Sequence, residues 1–412
     1  MARRPTIKDI ARRAGVSESA VSFALNDRPG VSRDTRARIR RVAEELGWQP
    51  NSAARALSGA RAGVVGLVLA RPAHTLGVES FFLQLVSGIQ EVLAAGRIAL
   101  LFQVVEDIEA ECAVYRRWWA ERRVDGVIVV DPRTQDPRPE LLTGLGLPAV
   151  MVGTTTTDAA ADPAADPAAD PSADPDPSAA TDSAADPAPA PARATDSAVD
   201  PAADPVAAAA STGPAGSRGR ERQEGPAPAL STIRADDAGA MAQVLDHLHR
   251  LGHRRITHVA GLPALAHTAR RMASLRAWSE RHGLGPADVR SVVTDYSDAE
   301  GAAATRRVLA DPEPPTALVY DNDVMAVAGA AVAAGLGIPV PARLSLVAWD
   351  DSALCRVTHP RLTALVRDTA GFGRLAAEEL LAVLAGGPPR VRESELPRLE
   401  PRDSTAQAPA AY

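Results

Sequence analysis

A small all-α head followed by an α/β body of two doubly wound parallel-sheet subdomains is expected from three features. Residues 1–61 are basic and space their apolar residues by three and four, the helical period. From residue 62, short β-branched runs alternate with amphipathic stretches, the rhythm of parallel sheets covered by helices. That rhythm runs in two series, separated by a tract of Ala, Asp, Pro and Ser at 158–229.

The totals set the bounds. A chain of 412 residues with 46% hydrophobic and 23% charged residues has room for two or three globular domains. No run approaches a membrane span, and "MARRPTIKDIARR" carries charge with no apolar core behind it, so a cytoplasmic protein without membrane attachment is expected. Cys112 and Cys355 lie far apart and outside any C-x-x-C spacing, which suits buried thiols. The net charge of −6 conceals segregation: residues 1–61 hold thirteen Lys/Arg against six Asp/Glu, net +7, whereas Asp158–Asp204 hold eleven Asp against one Arg, net −10. A basic head on an acidic chain points to a polyanion as partner of the head alone.

Within the head, Thr6 and Asp9 open a first helix in capping-box fashion. Ile7, Ile10, Ala11 and Ala14 form one stripe that stops at Gly15. Ser17 caps a second helix with Ala20, Val21, Ala24 and Leu25 inward, leaving Glu18, Ser19, Ser22, Phe23 and Asn26 outward. Two short helices about a glycine turn make a helix-turn-helix. An Arg-rich third helix follows "VSRDT", with Ile39, Val42, Ala43 and Leu46 inward. The charge matches a phosphate-binding footprint, and an outward Phe23 in a major groove can meet a thymine methyl. The alternative is Phe23 packed on the third helix, with the arginines a merely solvated face. Beyond Pro50, "NSAARALSG" suits a two-turn helix too short to stand alone, which would order only on a partner.

In the body, "GVVGLVLA", "IALLFQVV", "DGVIVVD" and "LPAVMVG" form the first series of strands, and "ITHVAG", "VRSVVT", "TALVYDND" and "LSLVAWDD" the second. Ligands on such sheets sit at the strand carboxyl ends. In the tract between, a proline at every fourth residue of the "AADP" near-repeat blocks helix, so a solvated, disordered loop is expected. The histidines of "DHLHRLGHRRITH" (His247, His249, His253 and His258) do not share a face, so no metal is expected. No nucleophile–base set, Walker loop or dinucleotide fingerprint is present; neither a cofactor nor enzymatic activity is expected.

Helix-turn-helix, "NSAARALSG" and "VVGLVLA" in that order, with "ERRVDGVIVV", "LGHRRITHVAG", "YDNDVMAVAGA" and "LSLVAWDDS", resemble the lactose/galactose-repressor (LacI/GalR) family of bacterial transcription regulators. The likeness spans the chain except the tract. It implies a periplasmic-binding-protein-like body and a homodimer, or a tetramer, on double-stranded pseudo-palindromic operator DNA. A small-molecule effector, a sugar or related polyol, would bind between the subdomains. The DNA contacts implied are Thr6, Ser17, Glu18, Ser19, Ser22, Phe23, Asn26 and Arg33 in the head. Asn51, Ala54 and Leu57 follow in the linker, where Leu57 would wedge into the minor groove. Glu18, an acid facing a polyanion, departs from simple charge matching; it can accept from a cytosine amino group.

The effector contacts implied are Arg271, Tyr296, Asn322 and Asp350. The strand-end rule supports the last two independently, although Asn322 or Asp323, and Asp350 or Asp351, could instead cap the helix or turn that follows. The resulting domains are 1–49 (DNA-binding head), 50–61 (hinge), 62–153 with 366–388 (first subdomain), 154–230 (insertion), 231–365 with 389–406 (second subdomain) and 407–412 (tail). The function implied is effector-controlled repression. The alternatives are a nonspecific architectural DNA binder and a small-molecule binder with a degenerate head.

If the tract is a drifted surface insertion, a variant lacking residues 160–226 folds and binds its DNA like the parent. Circular dichroism and DNA titration of the shortened protein check this, and loss of binding would give the tract a function.

Overall fold

The computed structural model describes residues 5–48, 61–71, 80–155 and 230–410. Asn51, Ala54 and Leu57, nearly all of the hinge segment and the Ala/Asp/Pro tract lie outside them.

The head is three helices, α1 (Ile7–Ala14), α2 (Glu18–Leu25) and α3 (Arg33–Glu45). Their boundaries follow from local chemistry. The Thr6 amide and hydroxyl both donate to the Asp9 carboxylate, at 2.9 and 2.7 Å, which closes the start of α1. Gly15 ends that helix in the left-handed region, and Ser17 Oγ then accepts from the Ala20 amide to start α2. Ile10, Ala11, Ala14, Val21, Ala24, Ile39, Val42 and Ala43 are buried together, so the helical stripes of the sequence become one small core.

Among the described residues the body contains two six-stranded sheets. Strands β1 (Val64–Ala70), β2 (Ala99–Val105), β3 (Gly126–Val129), β4 (Ala149–Val152), β5 (Ser231–Arg234) and β11 (Val391–Glu393) form the first, in the order β11-β5-β4-β3-β1-β2, all parallel. The second comprises β6 (Ile256–Ala260), β7 (Val289–Val293), β8 (Ala317–Tyr320), β9 (Ser345–Ala348), β10 (Thr363–Val366) and β12 (Arg398–Glu400), in the order β12-β10-β9-β8-β6-β7. It is parallel except where β12 runs against β10. Helices α4 (Ser80–Ala95), α5 (Ile108–Ala120), α6 (Arg138–Leu145) and α12 (Thr369–Leu384) cover the first sheet. The helices of the second are α7 (Asp237–Arg250), α8 (Ala266–Arg281), α9 (Asp298–Leu309), α10 (Asp323–Gly335) and α11 (Ala353–Val357).

The strand pairing corrects the subdomain boundaries read from sequence. Ser231–Arg234 and Val391–Glu393 belong to the first sheet, not the second: Val152 pairs with Ile233, and Arg392 with Ile233 on the other side. These strands are too short and too polar to show an apolar run in the sequence, although Ile233 reaches the core. Val366, placed in the first subdomain from sequence, pairs with Arg398 in the second sheet. The chain therefore crosses between subdomains near residues 235, 367 and 395.

Three local devices fix the frame of the body. Asp125 accepts from the amides of Ala62, Gly63 and Val64 at 2.6, 2.7 and 3.2 Å, clamping the entry to β1. Helices α4 and α12 approach so closely that a Cβ on Gly88 would lie 1.9 Å from the Ala370 carbonyl oxygen. The last segment straps the second subdomain: buried Ser404 donates to the Leu346 carbonyl at 2.6 Å and accepts from the Thr363 amide, and the Ala408 amide reaches the Leu251 carbonyl. Cys112 and Cys355 are buried free thiols, and among the described residues no helix is long and apolar enough to cross a membrane.

Gly88→Ala forces the α4–α12 contact apart and costs about 1–3 kcal/mol. Gly144→Ala, with open space around its Cβ, is neutral or stabilises by about 0.4–1 kcal/mol. Urea unfolding of the two variants checks the contrast.

Candidate functional site

A cleft lies between the subdomains at the carboxyl ends of both sheets. Arg71 follows β1 and Asp131 follows β3; Asp321 and Asn322 follow β8, and Asp350 follows β9. All four effector contacts implied by sequence line it: Arg271, Tyr296, Asn322 and Asp350. Phe81, Phe82, His267, Arg270, Asp237, Asp323, Arg367 and Phe372 line it as well.

The cleft is built from buried ion pairs. Arg271 donates through Nη1 to Asp321 Oδ1 at 2.9 Å and through Nε to Asp237 Oδ1 at 3.2 Å, with its guanidinium carbon 3.7 Å from the centre of the Trp349 ring. Arg270 donates to Asp237 Oδ2 at 2.7 Å, Arg71 to Asp131 at 2.7 Å and Arg367 to Asp350 at 2.8 Å. Burial alone would raise the Asp321 and Asp237 carboxyls; Arg271 acting together with Arg270 and His267 at Asp237, and with His258 and the Gly261 amide at Asp321, outweighs it and holds both below the usual carboxylate range. His258, behind the cleft, adds its own hydrogen bond to Asp321 at 3.0 Å.

Several contacts join the two halves. Arg71 of the first subdomain lies 5.1 Å from the Phe82 ring centre and 5.0 Å from that of Tyr296 in the second. Arg367 lies 4.4 Å from the Phe81 ring centre, and Arg270 donates to the Thr154 carbonyl at 2.8 Å. The Ala266 amide donates to Pro132, and the Thr134 amide to Ala264. The remaining space is about 80 Å³, below the roughly 300 Å³ of ordinary small-molecule pockets. Reaching side chains fill the rest.

Backbone strain gathers here too. Asp131, Tyr296 and Asp350 have φ of 53°, 74° and 72°, a left-handed conformation uncommon for residues other than glycine. Tyr296 is fixed by hydrogen bonds between its hydroxyl and both Thr268 Oγ1 (2.7 Å) and His267 Nε2 (2.8 Å). Asn322 does what a helix cap does: Oδ1 accepts from Met325, while Nδ2 donates to the Tyr296 carbonyl. Asp350 is no cap, since Ser352 starts α11.

Sequence reasoning missed Arg71, Asp131, Asp237, Arg270, Asp321, Asp323 and Arg367. The strand-end rule that found Asp350 applies equally to Arg71, Asp131 and Asp321. The four histidines go separate ways: His247 to Thr405, His253 to Thr316 and the Ala406 carbonyl, His258 to Asp321, and His249 against Trp278 and His282.

In the head, Thr6, Ser17, Glu18, Ser19, Phe23, Asn26 and Arg33 are exposed and Ser22 is half-buried. Phe23 is 38% exposed, its ring 3.4 Å from where a Gly30 Cβ would stand in the turn before α3. Part of the positive charge is engaged internally: Arg36 and Arg40 both bind Asp27, at 2.9 and 2.6 Å, and Arg36 also donates to the Arg28 carbonyl.

Comparison with known proteins adds the family. The model of bacterial regulatory proteins of the lacI family matches residues 6–51, and that of a periplasmic binding protein-like domain matches residues 245–405. The chain belongs to the LacI family. This LacI-family regulator is 25% identical over 393 residues to the HTH-type transcriptional regulator CelR of Thermobifida fusca, covering 93% of each chain. It is 26% identical over 413 residues to the HTH-type transcriptional regulator MalR of Streptomyces coelicolor, covering 98% of this chain and 97% of that one. Its fold matches a LacI family transcriptional regulator from Bifidobacterium animalis at TM-score 0.62 and 27% identity, over 85% of this chain and all of the other. It matches the lac repressor dimer bound to operator at TM-score 0.70 and 20% identity, over 98% and 100%.

The His267 imidazole is pushed down to about 4 by burial and by Arg271. An unfolded histidine titrates near 6.5, so between these values the unfolded chain binds the extra proton and stability falls as pH falls. His247, His249 and His253 are lowered as well, so the share of His267 is read by difference. His267→Gln loses less stability than the parent between pH 7 and pH 4.5, measured by urea unfolding at both values.

Proposed function

We propose that this LacI-family regulator is a repressor that binds a pseudo-palindromic operator as a homodimer and is controlled by a sugar or related polyol in the cleft. The observation that carries the reading is the cleft itself: paired guanidinium and carboxylate groups beside aromatic rings, supplied by both subdomains at their strand ends. Fixed Arg–Asp pairs offer planar donors and acceptors to hydroxyl groups, and Phe81, Phe82 and Tyr296 offer faces for the apolar side of a sugar ring. A structure of CelR, one of the fold neighbours, is of a cellobiose complex.

The coupling runs along β1. Its start is clamped by Asp125 where the chain arrives from the head, and its end delivers Arg71 to the cleft. A ligand touching both halves changes their angle, and β1 carries that change toward the segment bearing Asn51, Ala54 and Leu57. Glu18, Ser19 and Phe23, exposed on α2, read base edges in the major groove, while Thr6, Ser17, Ser22, Asn26 and Arg33 set its position on the backbone. Two heads related by a twofold axis read the two half-sites.

Selecting genomic fragments with the purified protein at moderate salt tests the DNA half of the reading. A shared inverted repeat with a fixed centre is expected; retention without a motif would favour nonspecific architectural binding. On the selected site, Phe23→Ala weakens binding at least about tenfold while changing the salt slope by less than about 1, because it removes a base contact and no phosphate contact. Fluorescence anisotropy across a salt series measures both quantities.

A further inference from the structure

Five carboxylates and four guanidiniums line the cleft, and four of the acids hold the four arginines. The fifth acid is Asp323. It is 2% exposed, lies first in α10 directly after the Asn322 cap, and has no arginine partner among the described residues. Its Oδ1 accepts from the Val324 amide at 3.0 Å. Its Oδ2 is buried and forms no hydrogen bond of good geometry, the Ser352 hydroxyl beside the carboxylate giving only partial relief. A buried acceptor so poorly satisfied by the protein is costly in an ordinary core, and native interiors rarely tolerate one. At the wall of a ligand cleft it marks where a donor is to arrive.

We propose that Asp323 is a specificity-determining residue of the effector site, accepting a hydroxyl or ammonium proton from the ligand and turning away sugars that carry their own carboxylate or phosphate. The inference rests on the reading of the cleft as a sugar site. It adds the class of sugar: neutral or cationic, never anionic.

Two further features agree. The four arginines pair with Asp131, Asp237, Asp321 and Asp350, although Arg270 Nε and Arg367 Nε meet no acceptor with good geometry, and by formal charge the acids of the cleft outnumber its arginines by one. An anionic group entering beside Asp323 would meet that carboxylate and the neighbouring Asp350, a repulsion that excludes wrong ligands without strengthening the right one. Burial raises the Asp323 pKa, the Ser352 hydroxyl eases that rise, and the Asp350 carboxylate adds to it, as expected of an acid close to another acid and lacking a cation of its own.

The test uses the full chain and three sets of probes in a thermal-shift screen followed by calorimetric titration. The neutral set is cellobiose, maltose and glucose, the cationic set glucosamine and galactosamine, and the anionic set glucuronate, galacturonate and glucose 6-phosphate. Expected are hits confined to the first two sets, with at least a tenfold loss of affinity for the best hit in Asp323→Asn, or in Asp323→Ala if the first variant is unstable. A hit among the anionic sugars with the parent protein overturns the proposal. So does unchanged affinity in the variants. Failure of all three sets to bind overturns the sugar reading of the cleft itself, which separates that failure from failure of the role given to Asp323.

Discussion

A guanidinium cannot be buried unless carboxylates meet it, and much of this body is arranged around satisfying Arg271. Asp237 reaches it from the start of α7 and Asp321 from the end of β8, while the residue itself stands on α8 over the face of Trp349. The pairing continues outward on both sides. His258 and the Gly261 amide hold Asp321, and Arg270 shares Asp237 and extends to the Thr154 carbonyl of the other subdomain. Removing either acid would leave a buried charge uncompensated, at about 3–5 kcal/mol. The site is rigid on the side of the second sheet for this reason, and its geometry does not depend on a ligand to assemble it.

The first subdomain meets that rigid wall through fewer and softer contacts. Arg71 stacks between two aromatic rings, Arg367 lies over Phe81, and two main-chain hydrogen bonds join Pro132 and Thr134 to the 264–266 turn. Such contacts can be exchanged for contacts to a bound molecule without exposing an unpaired charge, because Arg71 keeps Asp131 and Arg367 keeps Asp350 when the halves part. The strained backbone at Asp131, Tyr296 and Asp350 sits on both faces of this exchange. That distribution fits a cleft held in one of two arrangements, with the difference between them stored in polar contacts and not in the apolar cores.

The architecture was legible where apolar periodicity carries it. The eight strands read from sequence all form; six are runs such as "VVGLVLA" or "SLVA" buried on both faces, while β2 and β7, at one edge of each sheet, are only half-buried. The four unread strands, "STIR", "TALV", "VRE" and "RLE", are three or four residues long, too short for a run to stand out, and most are half polar. Capping chemistry fixed the head helices to within a residue or so at Thr6, Gly15 and Ser17. In the cleft, Asn322 and Asp350 could be argued from strand ends, whereas Arg271 and Tyr296 stand on a helix and in a turn and were reachable only through family resemblance. The partners Asp237 and Arg367 leave no trace in periodicity, because what places them is charge pairing between elements distant in sequence.

The strap at Ser404–Ala408 bears on the order in which the protein can be made. Ser404 fills a buried position between Leu346 and Thr363, and the Ala406 carbonyl completes the hydrogen bonding of His253, so the second subdomain lacks part of its interior until those residues leave the ribosome. The first subdomain waits almost as long, for α12 and β11. Only the head has all its core residues within one short stretch. It can therefore fold during synthesis, whereas the two halves of the body wait for residues 391–408, with half-built sheet edges open to wrong pairing until those arrive.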